Sequence, residues 1–213
     1  MKLFVAEREQ AMTSTNTEKQ GFDAFVMGHF QDPGLYEARA AISIPVVGAG
    51  EATLHWATQL GRRLALVTID SAFEVWHREQ AELYGLGGRI SHIAALGAKP
   101  EDFTEAFAGD DSAYQRLLAD FQRVAEPLVA DGADVIVPAG VLPGLLLTRE
   151  KGLTIGHAPV VSCASVPLLF AEVAVKLDRL NGLRPSRGPS FALAPERAKT
   201  DFQALVRKGL GDH

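Results

Sequence analysis

The chain has 213 residues, 47% of them hydrophobic, a formal net charge of −5 and a single cysteine, Cys163. That is long enough for a substantial core, and without a basic run it excludes a phosphate-backbone partner, so no nucleic acid is expected. One thiol excludes an intrachain disulfide; no apolar run reaches the ~20 residues of a membrane span, and the charged start MKLFVAEREQ does not read as a secretory signal, so a soluble, cytoplasmic protein with no membrane partner is expected.

Residues 1–6 read as a strand, and 7–20 as a polar, poorly periodic stretch. An apolar strand is expected over 22–28, then a polar hinge, His29-Phe30-Gln31-Asp32-Pro33-Gly34. A helix over 35–42 and a strand over 44–48 complete a strand–helix–strand unit of about 30 residues, the size of a crossover. Helical spacing follows over 51–60, with a strand over 64–69 and a helix over 71–86 capped at Asp70 or Ser71. Further strands are expected over 89–96, 134–137 and 159–161, and helices over 101–108, 113–130, 142–151, 167–181 and 198–210. Residues 183–195, LRPSRGPSFALAP, read as an extended arm that crosses to a neighbouring subunit of a homo-oligomer. Strands alternating with helices predict an α/β fold with mainly parallel, doubly wound sheets.

Ligands of such sheets collect beyond the carboxyl ends of the strands. His29 and Asp32 occupy one such end. His29 is a candidate acid/base near neutral pH, or else it caps the strand. The turn Ala139-Gly140-Val141 precedes a helix; its N–H groups either hold a carboxylate or enolate oxygen or form a plain tight turn. Ser162 and Cys163 follow another strand; a buried cysteine is also a common apolar filler. Glu51 opens a helix, where an acid is favourable in itself, and it could also orient His29. His55 and His77 read as partly buried helix residues, and no spacing indicates a metal site. Gly48-Ala49-Gly50 is not a full dinucleotide fingerprint, so no nicotinamide cofactor is expected.

The strings DPGLYEAR and IPVVGAGEA, then GADVIVPAG, then APVVSCASVPLLFAEVAVKL resemble the aspartate/glutamate/hydantoin racemase superfamily, nearest its hydantoin branch. The match runs in the family's order through most of residues 21–180. The resemblance implies two similar three-layer halves with a cleft between them, here 1–70 with 165–213, and 71–164. It also implies cofactor-independent chemistry on a small carboxylate or cyclic amide, with a cysteine on each side of the reacting carbon. His29 stands at the first cysteine's place and Gly140 at the second's. Thr68 matches the first of a Thr-Thr pair that holds substrate, and Asp32, Ala139, Gly140 and Val141 fall on substrate-binding segments. The family's opening Asn-Pro-Asn motif does not occur in this chain. The expected function is isomerase-type proton transfer next to a carbonyl. The alternatives are a single-sided lyase or hydrolase, or a non-catalytic binding relative.

Overall fold

The computed structural model describes residues 1–6 and 17–210. In chain order its first elements are β1 (Leu3–Ala6), β2 (Ala24–Met27), α1 (Leu35–Ala41), β3 (Val46–Gly48), α2 (Ala49–Ala57), β4 (Leu64–Thr68), α3 (Glu74–Leu83) and β5 (Ile90–Ala95). They are followed by α4 (Pro100–Phe107), α5 (Asp111–Ala130), β6 (Val135–Pro138), α6 (Val141–Leu147), β7 (Thr154–Ile155), β8 (Ala158–Pro159), α7 (Ser165–Asn181) and α8 (Glu196–Leu210). The expected alternation of strands and helices is present, and the sheets are mainly parallel. Among the described residues, no helix is long and apolar enough to cross a membrane.

The chain divides into two compact units. The first holds Met1–Met27, Pro33–Val47 and Phe170–His213. Its sheet has the order β1-β2-β3, with β1 and β2 parallel and Leu3 opposite Ala24. All four residues of β2 are buried, as a continuous apolar run requires. Helix α1 starts after Gly34, whose φ of 75° favours glycine, and buries Leu35 and Ala38. The arm lies on its own unit, contrary to the expectation that it crosses to a neighbour. The Arg187 guanidinium donates to the carbonyls of Arg39 (2.8 Å), Ile42 (2.9 Å) and Phe191 (3.2 Å). The Ala194 N–H reaches the Ala40 carbonyl at 2.9 Å, and the Phe191 ring meets Tyr36. These bonds satisfy carbonyls at the end of α1 that have no partner within the helix.

The second unit holds Gly28–Asp32 and Gly48–Leu169. The stretch 48–70, expected in the first half, belongs here because β4 is the central strand of the sheet β5-β4-β6. Both pairings are parallel, with Thr68 opposite Ala95 and Val67 opposite Pro138. Helix α5, capped by the Asp110 carboxylate, lays Phe121, Ala125 and Val129 on Ala65, Val67 and Ile136. A second cluster joins α4, α5 and α6 through Phe103, Ala106, Tyr114, Leu117 and Leu146. In place of a strand over 159–161 there is a short antiparallel hairpin, β7 with β8, turned at Gly156 (φ 56°). Only Val160 continues toward the parallel sheet, in a single bridge to Ile136.

Candidate active site

After β2 the backbone closes a turn in which the Asp32 N–H donates to the His29 carbonyl at 3.0 Å. Asp32 is the one non-glycine residue with positive φ (51°) among the described residues, a conformation that Asp tolerates better than most. Its buried carboxylate accepts from the Gly50 N–H (3.1 Å), the Glu51 N–H (2.7 Å), the Tyr84 hydroxyl (2.7 Å) and Gln80 Nε2 (3.4 Å). Asp32 therefore closes the N-terminus of α2 from a distance in sequence. Burial pushes its pKa up from 3.8 to about 7, against the opposing pull of the Tyr84, Glu51 and Gly50 donors. Gly48 and Gly50 explain themselves at this point. A Cβ on Gly48 would lie 2.7 Å from the Asp32 carboxylate, and one on Gly50 would fall on the Phe30 carbonyl and Gln80 Nε2. The glycine run is a seat for the turn.

Helix α3 faces the same turn with residues spaced i, i+3 and i+7. Tyr84 follows the last residue of α3 and holds the Asp32 carboxylate, while Gln80 Nε2 also donates to the Phe30 carbonyl at 2.5 Å. The fully buried His77 meets the Phe30 ring edge-on, with centroids 5.4 Å apart. His77 Nε2 also shares a 3.0 Å hydrogen bond with the Thr68 hydroxyl at the end of β4. Burial pushes His77 down from 6.5 to about 4, so its ring is neutral at pH 7. The buried His77 ring also interacts with the Gln80 side chain and the Ala139 backbone, both of which favour its protonated form against burial.

His29 itself is half-buried, and its Nδ1 accepts from the Gln31 N–H at 3.4 Å, a long bond. His29 and His77 are close enough for a charge on one to disfavour a charge on the other. At the end of β6, the Ala139 N–H is held by the Val67 carbonyl at 2.9 Å, and the Gly140 N–H by the Pro138 carbonyl at 3.0 Å. Val141 begins α6. The Cys163 thiol donates to the Gly140 carbonyl at 3.1 Å. Burial pushes that thiol up to about 12, so it is protonated at neutral pH. A Cβ on Gly144 would fall on the sulfur, so the thiol fills a gap left by glycine. Ser162 is a helix cap. Its hydroxyl oxygen accepts from the N–H groups of Ala164 (3.3 Å) and Ser165 (3.0 Å) as α7 begins. Glu51 is half-buried in the first turn of α2.

The structure thus joins Asp32 with the Glu51 N–H, and Gly140 with Cys163. Thr68 is buried, and its hydroxyl is bonded to His77. Sequence reasoning missed the face made by His77, Gln80 and Tyr84. The available signal was the recurrence of polar residues at core spacing on one helix.

A sequence profile described as Asp/Glu/Hydantoin racemase matches residues 6–166. A hydantoin racemase from Rhizobium meliloti is 41% identical over 155 residues, covering 73% of this chain and 61% of that protein. A second hydantoin racemase, from a Pseudomonas species, is 26% identical over 162 residues, covering 76% and 62%. The chain spans about 60% of the length of these relatives. The solved allantoin racemase from Klebsiella pneumoniae superposes with a TM-score of 0.70 at 24% identity, over 87% of this chain and 71% of that one, which shows a shared fold. Since the profile extends from the end of β1 to the first turn of α7, the chain belongs to the Asp/Glu/hydantoin racemase family.

Proposed function

We propose that this chain is an isomerase-type enzyme that moves a proton at the carbon next to a carbonyl of a small cyclic amide or carboxylate, without a cofactor. The relatives named above are hydantoin and allantoin racemases, and both substrates are cyclic ureides, which favours the cyclic amide. The observation that carries the reading is the half-buried imidazole of His29, placed beyond β2 on a turn fixed by buried polar contacts. Imidazole is the side chain suited to taking and returning a proton near neutral pH.

In the proposed step, His29 Nε2 takes the proton from the carbon, and the C–H electron pair moves into the adjacent carbonyl to give an enolate. The enolate oxygen is received by the Val141 N–H at the start of α6, since the N–H groups of Ala139 and Gly140 are already bonded to carbonyls. For Nε2 to accept, the imidazole proton must reside on Nδ1, which releases the 3.4 Å contact from the Gln31 N–H. Return of the imidazolium proton to the same face restores both groups and gives hydrogen exchange alone. Net isomerisation needs solvent to protonate the enolate on the other face, with His29 then releasing its proton to water. Asp32 serves by holding the turn, and Thr68 acts through His77. The protein would work on a small-molecule substrate as a homo-oligomer, which light scattering tests: a monomer at micromolar concentration removes that part.

A single-sided lyase or hydrolase is the second reading. It is favoured by residues 138–141, Pro-Ala-Gly-Val, which offer nothing ionisable opposite His29, and by the protonated, buried Cys163. A panel of hydantoins, amino acids and substituted malonates in deuterated water decides between them. Deuterium entering with retained configuration, and lost in His29→Gln, supports one-sided proton transfer by His29. Fast racemisation with deuterium on both faces keeps the isomerase and refutes the one-sided step, and loss of carbon dioxide selects the lyase.

A further inference from the structure

We propose that His77 and Gln80 are positioning residues: one face of α3 clamps the turn 29–32 and so fixes the direction and proton affinity of the His29 ring. The proposal rests on the reading of His29 as the proton-moving group.

Four observations converge on it. First, the turn is gripped at two points, Phe30 and Asp32. Gln80 Nε2 donates to the Phe30 carbonyl at 2.5 Å, the residue after His29, and also reaches the Asp32 carboxylate at 3.4 Å. The His77 ring closes on the Phe30 ring, 5.4 Å between centroids and nearly perpendicular. Second, the turn is strained at Asp32, with φ 51°, and strain of this kind persists where the surroundings over-determine the backbone. Third, Gly50 brings the opposite wall so close that a Cβ there would fall on the Phe30 carbonyl and on Gln80 Nε2. Fourth, the clamp is polar where a helix face is ordinarily apolar: His77 and Gln80 are buried and interact with one another beneath the turn, an arrangement that a plain apolar helix face would avoid.

His77 also acts through charge. Burial keeps it neutral, against the opposing pull of Gln80 and the Ala139 backbone, and a proton on it would disfavour one on His29. A neutral ring under the turn therefore adds no charge beside His29. The titratable groups around the turn are Asp32 within it, Glu51 from α2, His77 and Tyr84 from the α3 side, and Cys163 after β8.

The test is an NMR pH titration of the full chain with isotope-labelled histidine, the His29 signal being assigned by its loss in His29→Gln. Two variants disturb the clamp from opposite sides: Gln80→Met, which removes the amide at similar length, and Gly50→Ala, which presses on the Phe30 carbonyl and the Gln80 amide from the α2 side. In each, the His29 titration should move by roughly half a pH unit or more. On a substrate turned over by the wild type, kcat should fall about tenfold or more with KM little changed. His77→Phe, which keeps a ring on Phe30, should disturb the His29 signal less than His77→Leu. An unmoved His29 titration in folded Gln80→Met and Gly50→Ala overturns the proposal. So does failure of both to fold, since the contacts would then serve the fold alone. The titration needs no activity, so an inert wild type, or full activity in His29→Gln, would reject the proton-transfer reading without touching the clamp.

Discussion

Replacing Asp32 with Asn removes the charge of a buried carboxyl while keeping its size and its tolerance of positive φ. In the wild type, burial raises Asp32 from 3.8 to about 7 and lowers His77 from 6.5 to about 4. The two groups then act on stability with opposite sign. A carboxyl raised in the folded state contributes stability that is fully present below pH 4 and is lost as pH rises through about 7. An imidazole lowered in the folded state contributes stability that is present above pH 6.5 and is lost as pH falls through about 4. At 1.36 kcal/mol per pH unit, the Asp32 contribution spans about 4 kcal/mol and the His77 contribution about 3 kcal/mol. Between pH 4 and 6.5 they largely offset one another. Asp32→Asn should expose the His77 slope, so that its unfolding free energy in urea rises by about 3 kcal/mol relative to the wild type's trend across that window. The wild type's margin over the variant should shrink steadily from pH 4 to 7. A margin that grows with pH would refute the reasoning, because it would mean that the Tyr84, Gly50 and Glu51 donors outweigh burial and keep Asp32 ionised.

Thiol reagents at pH 7–8 should leave folded protein unmodified and react only as it unfolds, because Cys163 is buried and protonated; stoichiometric labelling of folded protein contradicts this. Gly144→Ala should destabilise by roughly 1–3 kcal/mol through overlap with the Cys163 sulfur, and Gly144→Ala with Cys163→Ala should recover most of that, since the nearest remaining atom, the Cys163 Cβ, is 3.6 Å away. Calorimetry of the single and double variants checks it. Thr68→Val should cost about 1–3 kcal/mol by leaving His77 Nε2 unpartnered, with little change at Ala95 across the sheet. Arg187→Ala should free the arm over 183–195, seen as faster proteolytic cleavage there with the remainder of the chain intact, because three backbone carbonyls lose one donor group.

The fold was legible where one physical rule dominated. Continuous apolar runs gave β2, β4 and β6 to within about two residues at each end. Asp70 caps where a short acceptor side chain is expected to cap. The helix expected over 51–60 begins two residues earlier, at Ala49, because its first N–H groups bond to Asp32, and no local sequence signal announces a cap so far away. The hairpin of β7 and β8 was missed because strands of two residues carry no period to read. The arm was misread for a related reason. Its prolines indicate extension, but only the free carbonyls at the end of α1 show where Arg187 docks.

The site was legible in backbone terms and opaque in side-chain terms, and α3 shows why. Hydropathy would bury Val75, Trp76 and Leu83, yet these are 62%, 53% and 62% exposed, while His77 and Gln80 are inside. The helix is inverted because its neighbour is an irregular turn whose carbonyl and carboxylate point inward and need donors. An apolar face would leave the Phe30 carbonyl and the Asp32 carboxylate short of a partner, a larger cost than exposing three apolar residues. With Gln80 supplying those donors, polar side chains are buried on this face and apolar ones exposed, a compromise that favours the turn over the helix. A sequence reader sees only the helix's own period. The demand that overrides it comes from the turn carrying His29, 48 residues from His77 in the chain at its centre. Inverted amphipathicity beside a glycine seat is therefore a physical sign that the segment opposite is being held for a purpose other than stability.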